Sequence, residues 1–131
     1  MITGVEVSAV NPPSVPAAVG GYVNGLEVRD ARRLLFISGQ IPQDRGGQVP
    51  DGIQAQCRLV WANLTAVLHE AGMGVTNLFK VTTFLSDRAH AAVNTAVRND
   101  VLGGHRPALT VIVAGIRDPA WLIEIEAIAA G

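Results

Sequence analysis

One apolar stripe in the middle of the chain constrains the fold more than any other feature. Ile53, Cys57, Val60, Leu64, Val67, Leu68 and Ala71 recur at the 3-and-4 spacing of a single helical face. Asp51 ahead of the stripe is a good N-cap and Gly72 behind it a C-terminal stop, so the spacing predicts a helix between them. A helix with one apolar face must lie against something. The segments on both sides are strand-like, so the stripe is expected to pack on a sheet, with Cys57 in the core and not at a reactive surface.

Upstream, Pro12, Pro13 and Pro16 remove backbone donors and fix φ, which confines any first strand to the residues before Asn11. Tyr22–Val28 and Leu34–Ile37 read as the strands of a hairpin around the polar loop Arg29-Asp30-Ala31-Arg32-Arg33, and Ser38-Gly39-Gln40 ends the second strand. The turn chemistry of residues 43–48 and Pro50 leads into the central helix. Leu78–Leu85 is rich in β-branched and aromatic residues, and Ser86-Asp87 caps a second helix running to about Leu102, where Gly103-Gly104 stops it. Two more apolar strands, Pro107–Ile116 and Trp121–Ala129, flank the turn Arg117-Asp118-Pro119 and can pair antiparallel. The order β-β-β-α-β-α-β-β predicts one α+β domain over residues 1–131, a mixed sheet covered on one face by two helices.

Charged residues make up 16% of the chain and hydrophobic ones 49%, against about 25% charged in a typical soluble domain. Part of the surface is therefore expected to be covered. No apolar run reaches the roughly 18 residues of a membrane span, so another copy of the chain is the natural cover. A net charge of −1 and scattered Lys and Arg residues supply no field for phosphate backbones, which argues against nucleic acid as a partner. Cys57 is the only cysteine and cannot form an internal disulfide, and the first residues lack the basic-then-apolar layout of a secretory leader, so the cytoplasm is the expected compartment. Asn63-Leu64-Thr65 spells a glycosylation sequon, but inside a predicted helix without an export signal it reads as chance.

Candidate chemistry is sparse. His69, His90 and His105 have no acidic or thiol partner at ligand spacing and read as helix-surface residues, so neither a metal nor a cofactor is expected. Ser38 lacks the flanks of a nucleophile elbow, which argues against covalent catalysis. The informative carboxylates are Glu124 and Glu126, which period two places on one strand face with Ile123 and Ile125 on the other. Two readings fit them: a solvent-facing strand, or a cleft in which a carboxylate orders water or accepts a proton.

Several segments, in order and near-regular in spacing, resemble one family. They are Pro16-Ala17-Ala18-Val19-Gly20-Gly21-Tyr22, Ser38-Gly39-Gln40-Ile41-Pro42, Ala71-Gly72, Phe79–Leu85, Val93-Asn94 and Ile123-Glu124-Ile125-Glu126-Ala127-Ile128-Ala129. Together, from about Asn11 to Ala130, they resemble the RidA (YjgF) family, also called the endoribonuclease L-PSP family. The resemblance implies a chorismate-mutase-like fold of the bacillus type, assembled as a homotrimer around a barrel of sheets with small-molecule clefts between subunits. It also implies imine deaminase chemistry, the hydrolysis of reactive 2-imino acids to 2-keto acids and ammonia. By the same resemblance Glu124 stands for the glutamate that helps hold the attacking water, and Tyr22, Ser38, Gly39 and Asn94 for cleft-lining positions.

The pattern breaks at Arg106-Pro107-Ala108-Leu109-Thr110, where Leu109 occupies the place of the family's carboxylate-clamping arginine. A guanidinium gives charge-assisted hydrogen bonds worth roughly 1.5 to 3 kcal/mol each, and leucine gives none. Arg106, three residues away, has the wrong strand parity to replace it. The family's Gly-Pro-Tyr also becomes Gly20-Gly21-Tyr22. The expectation is thus a diverged member that acts on or binds a small imine, enamine or related carbonyl metabolite. The alternative is a non-catalytic metabolite-binding or regulatory protein, with Leu109 lining a more apolar cleft. The endoribonuclease label gains nothing from this sequence, which has neither a basic patch nor an aromatic stacking platform.

Overall fold

The computed structural model describes residues 5–131. Its elements are β1 (Glu6–Val10), β2 (Gly25–Arg29), β3 (Leu34–Gln40), α1 (Ile53–Glu70), β4 (Leu78–Leu85), α2 (Ala91–Leu102), β5 (Ala108–Val113) and β6 (Ile123–Ala130). This is the predicted element order. A short ribbon joins β1 to β2, and a four-stranded mixed sheet runs β3-β6-β4-β5, with β4 and β5 parallel and β6 antiparallel to both neighbours. Both helices lie on one face of that sheet and pack on each other. No helix among the described residues is long and apolar enough to cross a membrane.

The central stripe forms α1 as its spacing requires, with Cys57, Val60, Leu64 and Leu68 fully buried against β6 and β3. Its C-terminus is a Schellman turn. Met73 donates its N–H to the Leu68 carbonyl at 2.8 Å and Gly72 to that of His69 at 2.9 Å, with Gly72 at φ 72°. The N-terminus departs from expectation: Asp51 makes no cap, and Gly52, at φ 86°, stands at the N-cap without a side-chain bond. The buried Gln56 organises this end instead. Its amide donates to the carbonyls of Pro50 and Ala120, both at 3.0 Å, and accepts from the Leu122 N–H at 2.8 Å. The sequon residue Asn63 is likewise engaged, donating to the carbonyls of Ile41 and Gln43.

Two strand pairings differ from the expected ones. Strands β2 and β3 do not form a hairpin: β2 pairs with β1, and β3 pairs with β6. The loop between them turns away at Asp30, whose φ is 60°, and the N–H groups of Arg32 and Arg33 both bond to the Gly131 carbonyl, which ties the start of β3 to the end of β6. Strands β5 and β6 do not pair either. Strand β6 enters the slot between β3 and β4, and Ala114 donates to the Leu85 carbonyl at 2.9 Å, holding the end of β5 on β4. Nor is His105 on a helix surface, since it follows α2 and its ring Nε2 meets the carbonyl of Leu78.

Burial pushes the Cys57 thiol up to about 11, with the Arg58 charge pulling weakly the other way. The folded protein should therefore resist iodoacetamide at pH 8 under conditions that label the unfolded chain fully. Cys57→Ser should lower stability on the order of 1 to 3 kcal/mol by chemical denaturation. Gln56→Ala should lower it by about 1 to 3 kcal/mol, because it removes three hydrogen bonds to part-buried backbone groups at both ends of its bridge.

Candidate functional site

The sheet sorts its side chains by parity. Ile37, Ala127, Val81 and Leu109 align across the strands on the helix-covered face, while Phe84 and Glu124, and next to them Thr82 and Glu126, align on the open face. Glu124 is half-buried and Glu126 exposed. The predicted carboxylates therefore do share a face, and it is the one without helices.

Glu124 owes its seat to a break in β3. The β3-β6 register slips between Ile37 and Gln40, so Ser38 and Gly39 form a bulge beside Glu124. A Cβ at position 39 would clash with a Glu124 carboxylate oxygen and lie 2.9 Å from its carboxyl carbon. Only glycine leaves room for the carboxylate to lie over the strand. No ion pair among the described residues involves Glu124. Ser38 is exposed in the bulge, and its carbonyl accepts from the Gln40 side chain at 3.0 Å.

Tyr22 and Leu109 come together elsewhere. Val23 bridges to Ala108 and donates to the Pro107 carbonyl at 3.2 Å, which lays the Tyr22 segment along the start of β5. A cleft of about 330 Å³ opens there, walled by Val19, Gly20, Tyr22, Arg98, Leu109 and Val111. Tyr22 also walls a neighbouring hollow of about 460 Å³ that contains the exposed Arg106, so Arg106 lies beyond the tyrosine and does not line the Leu109 cleft. Asn94 is 2% exposed on the inner face of α2, and its Oδ1 has no partner among the described residues. Within one chain, then, Tyr22 and Leu109 share a cleft, Ser38, Gly39 and Glu124 share the open face, and Asn94 lines neither place.

Sequence reasoning missed Arg98. It sits one turn after Asn94, on the stripe by which α2 packs inward, and is only 4% exposed. Its Nη2 donates to the Gly20 carbonyl, and its Nε finds no acceptor among the described residues. Burial pulls its pKa down, partly offset by Tyr22, yet guanidinium keeps its proton at any physiological pH. The available signal was a cation at the i+4 position from Asn94 on an otherwise apolar helical face. The loop above it is equally specific: Gly20 and Gly21 take φ values of 104° and 91°. Proline, locked near −65°, cannot occupy position 21 in this conformation.

The sequence model of the endoribonuclease L-PSP family matches residues 13–131. A RutC family protein of Pyrococcus horikoshii is 35% identical over 118 residues, 88% of this chain and 91% of that relative. TdcF of Escherichia coli, provisionally named a reactive intermediate deaminase, is 32% identical over 118 residues, 87% of this chain and 89% of its own. Among solved structures, a Rid family protein of unknown function from Yersinia pestis superposes with a TM-score of 0.83 at 28% identity, covering 95% of this chain and 98% of that one. Escherichia coli TdcF with bound serine superposes at 0.70 with 30% identity, covering 95% and 98%. With this coverage in both sequence and fold, the chain belongs to the RidA (YjgF) family.

Proposed function

We propose that the protein is a homotrimer that takes a small carbonyl-derived metabolite, an imine, an enamine or a related compound, into clefts between subunits. The observation that carries this reading is the division of the site. Glu124 on the open face and the Tyr22–Leu109 cleft at β5 lie on opposite sides of one sheet, so a single chain cannot bring both to one ligand. A neighbouring copy can. The open face is apolar enough to want one: Leu34, Phe36 and Ile112 are 58%, 71% and 42% exposed there. A relative provisionally named a reactive intermediate deaminase, and its structure holding serine, support a small-molecule ligand in place of nucleic acid.

The chemistry within reach is hydrolysis. Water held by Glu124 adds to the C=N carbon of a 2-imino acid while Glu124 takes one of its protons and passes it to the nitrogen; the resulting aminoalcohol gives its hydroxyl proton to the departing nitrogen, and ammonia leaves a 2-keto acid. Such a reaction depends on where the substrate carboxylate is fixed. Leu109 gives that carboxylate no hydrogen bond at the β5 position, and a misplacement near 1 Å can cost about 100-fold in rate. The protein is thus a diverged member, whose cleft binds while classical deamination is weak.

Light scattering on the eluting peak should give the mass of a trimer at micromolar concentration, and a monomer would remove the shared cleft. Keto-acid formation from freshly generated 2-iminobutanoate should be near background for wild type. Leu109→Arg should raise it tenfold or more, and adding Glu124→Ala should return it to background. Wild-type turnover equal to that of an active family deaminase would overturn the diverged reading.

A further inference from the structure

We propose that Arg98 is the anion-recognising group of the Tyr22–Leu109 cleft and that the ligand's carboxylate docks on it. The inference rests on the cleft reading above and adds to it the residue and the charge of the ligand.

The case begins with desolvation. A cation on the inner stripe of α2, 4% exposed, has lost its water and is stable only where something repays that loss. The protein itself supplies little. None of the ion pairs among the described residues reaches Arg98, the Gly20 carbonyl takes Nη2, and Nε is left over. An anion from outside the chain would complete the set.

Position and geometry agree. Arg98 is the one charged side chain among the residues that wall the cleft, beside the apolar Val19, Leu109 and Val111 and the hydroxyl-bearing Tyr22 and Thr95. In such surroundings a charge-assisted hydrogen bond is stronger than in water, and an unpaired one is costlier. The bond to Gly20 orients the guanidinium, and a carboxylate would be held by two of its remaining N–H groups together. Tyr22 stands on the same cleft with a phenolic hydroxyl able to donate. The guanidinium arrives from the helix, across the cleft from the strand position that Leu109 occupies.

The test uses the intact oligomer with pyruvate, methyl pyruvate and inorganic phosphate as probes, titrated by calorimetry and by the arginine Nε resonances. Wild type should bind pyruvate in preference to the neutral ester and to phosphate, and a single buried arginine Nε signal should move. Arg98→Gln should weaken pyruvate about 10- to 100-fold and leave the ester unchanged, and Arg98→Lys, charged but unforked, should fall between. A purely structural Arg98 would move both probes together. Equal pyruvate binding by Arg98→Gln and wild type, or a wild type indifferent to the probe's charge or preferring phosphate, would overturn the proposal while leaving the cleft. If no probe binds wild type, the cleft reading itself fails. If Arg98→Gln does not fold, the wild-type Nε shift and its loss in Arg98→Lys decide the matter.

Discussion

Strand β6 is the constraint on which the rest of the structure depends. It enters last, between β3 and β4, and closes a sheet that those two strands cannot make without it. One face of β6 is pure core, with Ile123, Ile125, Ala127 and Ala129 no more than 3% exposed under α1. The other face carries Glu124 and Glu126 into the open. Because strand side chains alternate with period two, a one-residue slip would exchange these sets, burying two carboxylates and exposing the core. The same register that stabilises the sheet therefore aims the candidate catalytic carboxylate. Gln56 secures it from the helix side by accepting from Leu122 at the mouth of the strand.

The parts of the fold that local pattern controls were legible. The stripe of α1 and its Gly72 stop, the bounds of β4 and the shared face of Glu124 and Glu126 all follow from periodicity and from residues with special backbone freedom. What failed was pairing. The polar loop between β2 and β3 looked like a hairpin turn, but whether two strands join depends on competing partners. Strand β6, distant in sequence, outbids β2 for β3 because its eight residues offer a longer buried ladder. The N-cap failed for a related reason: the start of α1 is held by a tertiary network around Gln56, which no local rule anticipates.

The candidate site was legible only where it repeats a motif. Gly39 beside Glu124 is such a case, since the missing Cβ makes room for the carboxylate and binds the two positions together. Arg98 was not, because it lies on a helix face whose apolar neighbours make it look like an accident of composition. Its meaning depends on Gly20, which is far away in sequence and near in space. The cleft lip carries the same lesson. The resemblance sets Gly21 at the place of a proline, and the backbone there has entered a region of φ that proline cannot reach.

Gly20, Arg98 and Leu109 wall one cleft. Gly20 supplies the carbonyl that orients Arg98, and Gly21 passes so close to Asn99 that a Cβ would strike its side-chain oxygen. With φ at 91°, position 21 could not be proline in this conformation. The Gly20 carbonyl meets the Arg98 guanidinium, and Leu109 and Val111 wall the same cleft from β5. An arginine at 109 would stand with Arg98 on one cleft wall, and two guanidinium groups so placed repel unless an anion lies between them. Leu109 and Arg98 wall the same cleft and Gly20 orients the guanidinium there, so a reading of Leu109 has to take in the buried cation beside it.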